Sequence, residues 1–344
     1  MGRSGIMKII FFGTPEYVIP ILDSLHKAFK STSGESPIVA VVTQSPKPSG
    51  RKQQLEYSAV DTWAHKKHVP IFFDAKEIVL KNIKADIGVL ASFGAIIPDA
   101  VLKYFQYGIL VIHPSLLPQF RWSSPVPAAI ITNTNPTGVS IIKMDNKFDH
   151  GPIVTQFKEE IKEDDTYGTL RDRLFAKSAD VLVGMLPAYI KGKINLKMQD
   201  DSKATFAGEI GKKDAFIPPE LLWSVVGGQW SEKNNEWKIP FIKNYSLVPS
   251  AYSLDRFIRA MQPWPIAWTN IQLNAIRNTQ NDKRLKILKA HIETRKKSQE
   301  TQNEKSYSVS RIPYLALDEV QLEGKNPVSW KQFLEGYPEA NFSS

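Results

Sequence analysis

Two residues of this chain have the chemical types and settings of a proton-transfer pair. His113 ends the apolar run 108–112, where a buried strand would end, and Pro114, Ser115, Leu116, Leu117 and Pro118 follow it. Pro114 lacks an N–H and confines His113 to extended backbone, so the imidazole stands on a stiff strand end. Asp149 lies in the loop 144–153, two residues before Gly151 and between two apolar segments. Open α/β sheets bind ligands outside the carboxyl ends of their strands. A His and an Asp brought together there can act as a base and the group that orients it. Asp145, in the same loop, is a second candidate for the carboxylate.

The elements that must position these groups follow from hydrophobic patterning. Residues 8–12, 37–43, 69–73, 86–93, 108–113, 138–144 and 153–157 are strand-like apolar runs separated by amphipathic segments. Several are continuous rather than alternating, as in strands covered on both faces. The pattern predicts an open, mostly parallel, Rossmann-like α/β sheet. Residues 166–190 read as its last helix, with Asp165 or Thr166 as cap, leucines at 170, 174, 182 and 186, and Gly192 just past the end. A catalytic domain over 7–190 and a polar linker over 191–204 are therefore expected. Short alternating runs at 267–273, 285–292, 306–312 and 315–322 predict a β-rich domain over 205–339, a small OB-like barrel. Residues 293–305 carry no apolar side chain and read as a hairpin loop.

Composition narrows the class. A length of 344 residues suits two domains at roughly 150 residues each. No run approaches the roughly 20 apolar residues of a membrane span. Residues 1–7 are too short and polar for a signal peptide or a transit-like leader, which points to the cytoplasm, with a mitochondrial matrix as the alternative. There is no cysteine, which removes thiol chemistry and disulfides, and the six histidines lack zinc spacing. The formal charge of +9 is concentrated at 47–52, 283–289 and 295–297, which favours a polyanionic partner. In the loop 44–52 two prolines stiffen the backbone, so Lys47, Arg51 and Lys52 can meet phosphates at low ordering cost. The turn 12–17 has no glycine pattern of a nucleotide phosphate loop. Trp264 and Trp268 are expected in core or hinge packing.

Taken together, these segments resemble the methionyl-tRNA formyltransferase family of formyltetrahydrofolate-dependent enzymes over nearly the whole chain. Residues 8–17 (KIIFFGTPEY) look like that family's first strand and turn. Residues 41–51 look like its tRNA-contacting loop, and 91–98 (ASFGAIIP) like its folate-pocket turn. The Ser-Leu-Leu-Pro motif at 115–118 and the Asp149 loop follow in order. Residues 204–207 (ATFA) and the Arg-Ala-x-x-Pro-Trp-Pro segment at 259–265 complete the pattern. The resemblance selects Asp149 over Asp145 and implies His113 and Asp149 as catalytic residues. It implies Ser115, Leu116, Leu117 and Pro118 at the folate, and Lys47, Arg51 and Lys52 at the tRNA. It further implies 10-formyltetrahydrofolate as co-substrate, initiator methionyl-tRNA as acceptor, no metal, no membrane and a monomer. Related enzymes that formylate small amines share the first domain but not the basic loop or the second domain. Two departures stand out. The family has Asn where this chain has Val111, and a small residue after Arg121 where this chain has Trp122. Valine cannot donate to the formyl oxygen, and one lost donor of that kind typically costs ~10²–10³ in rate. A weakened enzyme, or a tRNA-binding relative without turnover, is the corresponding expectation.

Overall fold

The computed structural model describes residues 7–49, 53–226, 236–273, 281–300, 307–338 and 340–341. Residues 1–122, 136–160 and 169–205 make one compact unit, and 123–135, 161–168 and 206–344 another. Among the described residues no helix is long and apolar enough to cross a membrane.

The first part of the chain alternates strands and helices: β1 (Ile9–Gly13), α1 (Ile19–Ala28), β2 (Ile38–Val42), β3 (Lys47–Ser49), β4 (Gln54–Glu56), α2 (Ala59–Lys67), β5 (Ile71–Phe72) and α3 (Lys76–Leu80). Next come β6 (Ile87–Ala91), α4 (Asp99–Leu102), β7 (Ile109–His113), α5 (Pro125–Ile131), β8 (Thr137–Lys143), β9 (Ile153–Glu159) and α6 (Tyr167–Ile190). Seven strands form one sheet in the order β5-β2-β1-β6-β7-β8-β9. Neighbours from β5 to β7 are parallel, whereas β8 runs antiparallel to β7 and β9 antiparallel to β8. Every residue of β1 and β7 is buried, which explains their unbroken apolar runs. Phe12 meets Phe93 and Phe105 edge-on at centroid distances of 5.8 and 6.1 Å. Burying a ring of this size contributes about 1.5–3 kcal/mol. Helix α6 ends where Gly192 adopts φ +66°. The Gly192 N–H reaches the Tyr189 carbonyl and the Lys193 N–H that of Ala188, a Schellman closure.

The second unit contains α5 and continues with α7 (Pro219–Val226), β10 (Trp237–Lys238), β11 (Ser246–Leu247), α8 (Ala251–Ala260), β12 (Trp268–Leu273), β13 (Asn281–Glu300), β14 (Tyr307–Leu322), β15 (Val328–Ser329), α9 (Trp330–Gly336) and β16 (Ala340–Asn341). It is β-rich, as its alternating runs imply. Its antiparallel ladder runs β15-β14-β13-β12-β16, open at both ends among the described residues. The expected hairpin loop at 293–305 needs correcting. Residues 293–300 continue β13 and pair with 307–314 of β14. At Glu293 and Arg295 polar contacts take the place of apolar alternation. Glu293 lies opposite Tyr314 and bonds its hydroxyl, and the Arg295 guanidinium covers that ring at 5.2 Å. The runs 306–312 and 315–322 belong to one strand despite Pro313. Pro313 lies opposite Thr294 of β13, and β15 pairs with β14 at Glu319 and Val320, so β14 has no described partner at Pro313 on the side away from β13. Trp268 packs on Phe216 at 4.7 Å, as expected of a packing residue. Trp264 is 52% exposed, against expectation, because it sits in a turn rather than on a strand face.

Candidate functional site

His113 is the last residue of β7, paired in register with Ser140 of β8, and is 5% exposed. Its Nε2 stands 2.9 Å from the Phe120 carbonyl oxygen. A carbonyl only accepts, so Nε2 carries a hydrogen and donates. In the neutral imidazole Nδ1 is then the nitrogen with a lone pair to offer. It faces Asp149 Oδ1 at 3.5 Å. The arrangement is a proton acceptor with a carboxylate beside the charge that arrives.

Asp149 is itself positioned by backbone. It takes φ +51°, a left-handed conformation that Asp tolerates, and its Oδ2 accepts from the Trp122 N–H at 2.8 Å. Gly151 follows because nothing larger fits. A Cβ there would lie 1.9 Å from the Lys143 carbonyl oxygen. Asp145, the other carboxylate of the loop, pairs with His150 Nδ1 at 2.6 Å instead of with His113.

The turn after His113 is held by polar side chains that its sequence does not announce. Ser140 Oγ donates to the Ser115 carbonyl at 2.7 Å and accepts from the Leu117 N–H at 2.9 Å. Gln156 Nε2 bonds both Ser140 Oγ and the Leu117 carbonyl. Ser115 is fully buried and spends its hydroxyl on the Gln119 carbonyl at 2.6 Å, so it is a turn-former rather than a free donor. Leu116 and Pro118 are partly exposed. Leu117 is buried in an apolar cluster with Val111, Ile142 and Ile153, against which Leu90 and Met144 pack. Val111 shares a strand face with His113, two residues away. Its surroundings are thus apolar on this side of the pair.

Sequence reasoning missed a second layer. Gln199 Nε2 donates to the carbonyls of Asp149 and Gly151, each at 2.8 Å. Its Oε1 accepts from Arg121 Nη2 at 2.9 Å, and the same Nη2 meets Asp201 Oδ1 at 2.7 Å. The Arg121 hydrogen bond holds the Asp201 carboxyl below the usual range. Asp201 Oδ2 lies 3.3 Å from His150 Nε2, which closes the network on Asp145. The stretch around 199–201, polar enough to read as a linker, thus fixes the Asp149 loop. Polar composition alone carries no signal for that task.

Lys47 lies exposed on β3, opposite Glu56 of β4, with its Nζ on Gln44 Oε1 at 3.1 Å. Residues 47–49 of the expected loop thus form a strand of a two-stranded hairpin. Arg51 and Lys52 lie outside the described residues. No group of three or more His, Cys, Asp or Glu that could hold a metal occurs among the described residues.

Two family models match the chain. The one described as formyl transferase covers residues 7–186, and the one described as formyl transferase, C-terminal domain, covers 248–338. A methionyl-tRNA formyltransferase of Staphylococcus epidermidis is 31% identical over 97% of this chain and 97% of its own. That of a Geobacillus species is 35% identical over 78% of this chain and 76% of its own. Among solved structures, the N-formyltransferase of Helicobacter canadensis, in complex with folinic acid and dTDP-3-aminofucose, aligns with a TM-score of 0.58 at 16% identity. It covers 90% of this chain and 99% of that one. A sugar 3N-formyl transferase aligns at 0.55 and 18%, covering 94% and 100%. At such identities these two structures speak to the fold alone.

Proposed function

The chain belongs to the formyl transferase family, and from that premise we propose that it moves a formyl group from 10-formyltetrahydrofolate to the α-amino group of initiator methionyl-tRNA. The observation that carries this choice of acceptor is sequence identity sustained along both units. The Staphylococcus relative matches through both units at 31% identity, whereas the sugar-modifying structures share little beyond the fold.

When bound, the folate supplies an activated formyl carbon. The residues present fit a flat, largely apolar ring beside a proton acceptor, since Leu117, Val111, Leu90 and Met144 make one apolar wall. In this reading the backbone turn of Ser115, Leu116, Leu117 and Pro118 lines the folate. His113 Nδ1 takes the proton that the α-amine sheds as it attacks, and returns it to the departing folate nitrogen. Asp149 stabilises the imidazolium in between and keeps the ring in place. Lys47, Arg51 and Lys52 meet acceptor-stem phosphates. Residues 7–190 act as the catalytic domain, 191–204 as the connecting segment and 205–339 as the tRNA-binding domain. The chain works as a monomer in the compartment that holds charged initiator tRNA, the cytoplasm, with a mitochondrial matrix as the alternative.

A second reading, a tRNA-binding relative without turnover, draws support from Val111, which offers no donor inside an apolar cluster. Single-turnover formylation of charged initiator tRNA, with an amino sugar as small-amine control, separates the readings. Formyl transfer to the tRNA, abolished by His113→Ala, is the expected result. Transfer to the amino sugar in place of the tRNA would overturn the choice of acceptor. Tight tRNA binding with no transfer would favour the second reading.

A further inference from the structure

The second unit holds a cleft of about 1050 Å³, lined in part by one face of α8. Tyr252, Asp255, Arg256 and Arg259 stand there at i, i+3, i+4 and i+7, the spacing of one helical face. The opposite face of α8, with Leu254 and Phe257, is buried. Ser250 caps the helix through its hydroxyl, which accepts from the Ser253 N–H, so the face is held in a fixed orientation.

The two guanidinium groups differ in how they are satisfied. Arg259 donates from Nε to Asp255 Oδ2 at 2.8 Å and from Nη1 to the Asp165 carbonyl at 2.7 Å. Arg256 has, among the described residues, one hydrogen bond, from Nε to the Ile131 carbonyl at 3.3 Å. It is half-buried, and that burial pushes its guanidinium down from its ordinary range. Asp255, the carboxylate between the two, is committed to Arg259. A partly desolvated cation with spare donors is costly unless an anion completes it. The second guanidinium one turn away adds to that demand.

Three further features select the anion. Tyr252 is 53% exposed, one turn from Arg256, and offers a ring face. Glu163, Asp164 and Glu319 are exposed along the lining, interspersed with Lys162 and Lys289. A polyanionic strand threading the cleft would meet these three acids. A bare phosphate or a phosphorylated headgroup would leave the ring unused. A single phosphate joined to a sugar and a base uses the guanidinium pair, the ring and the acids together, because carboxylates accept from ribose hydroxyls and base amino groups. The cleft is also near the upper end of small-ligand pockets, roughly 300–1,000 Å³.

We propose that this cleft binds a nucleoside monophosphate, with its phosphate on Arg256 and Arg259 and its base on Tyr252. The site is independent of formyl transfer and stands whether or not that reading does.

Calorimetric titration of the full chain with AMP, GMP, adenosine, inorganic phosphate and uncharged tRNA tests it. The expected result is saturable binding of AMP or GMP, with adenosine and phosphate each at least about tenfold weaker, the scale of one charge-assisted contact. Arg256→Gln should weaken the nucleotide by about the same factor and Arg256→Lys by less. Tyr252→Ala should weaken the nucleotide by several-fold and leave phosphate unchanged. Should Arg256→Gln lose its fold by circular dichroism, the exposed Tyr252 carries the test by itself. Absence of saturable nucleotide binding overturns the proposal. So does binding indifferent to both positions, and so does tRNA binding that needs Arg256 while mononucleotides fail to bind.

Discussion

The Trp122 backbone N–H donates to Asp149 Oδ2 at 2.8 Å, and Trp122 holds φ +83° while doing so. A bulky residue in that region costs about 1–3 kcal/mol, which Gly would not incur. The bond to Asp149 uses backbone and so survives any side chain. Trp122→Gly should therefore leave the Asp149 contact in place. Because the ring is 40% exposed, relief of the backbone should exceed the packing lost, for a net gain of about 1 kcal/mol in urea denaturation. A loss of similar size would mean that the indole's own contacts outweigh the strain.

A pH dependence follows from His291 on β13. Its Nδ1 lies 2.9 Å from Asp318 Oδ1 and its Nε2 3.1 Å from Glu293 Oε1. Both nitrogens can donate only in the imidazolium, and the Asp318 hydrogen bond chiefly raises its pKa above the ordinary 6.5. A group whose folded-state pKa is raised contributes stability that is complete below its unfolded pKa and fades as pH climbs through the folded one. The melting temperature of the parent should exceed that of His291→Gln near pH ~6, and the two should converge by pH ~9. A gap that stays constant across that range would remove the imidazolium from the account.

What the sequence disclosed depended on how each element is satisfied. β1 and β7 were legible because both faces are covered, which leaves an apolar run with no alternative role. The end of α6 was legible because Gly192 must accept φ +66°. The far end of β13 was not, since residues 293–300 continue the backbone ladder without an apolar residue in their sequence. His113 and Asp149 stood out by type and context. Gln199 and Asp201 did not, because their work is to hold a backbone loop and to meet Arg121, and those partners come together only on folding.

The proposed tRNA contact of the hairpin predicts a salt dependence. Each phosphate contact releases counterions, so log affinity falls linearly with log salt, by about 0.7–0.9 per contact. Lys47 is exposed and, among the described residues, its Nζ meets a single neutral amide oxygen, which leaves its charge available. Lys47→Ala should reduce the slope for initiator tRNA by roughly one unit, and the triple change with Arg51→Ala and Lys52→Ala by about two to three. An unaltered slope in the triple variant would remove this hairpin from the tRNA interface.

Val111 is where family membership and local chemistry pull in opposite directions. Its relatives imply turnover, yet it places an apolar side chain on the same strand face as His113, packed with Leu117, Ile142 and Ile153. Charge developing on the formyl oxygen then lacks a donor from this position. Val111→Asn should accelerate the single-turnover chemical step by up to ~10²-fold, with folate and tRNA affinities little changed. The same change buries an amide among apolar neighbours and should lower stability by about 1–3 kcal/mol. Rate and stability should therefore move in opposite directions in one variant, a pattern that simple repair of packing cannot produce. His113→Ala in either background should remove the remaining transfer. If Val111→Asn slows a parent that is already fast, another donor serves the formyl oxygen and the apolar wall is part of a different transition-state arrangement.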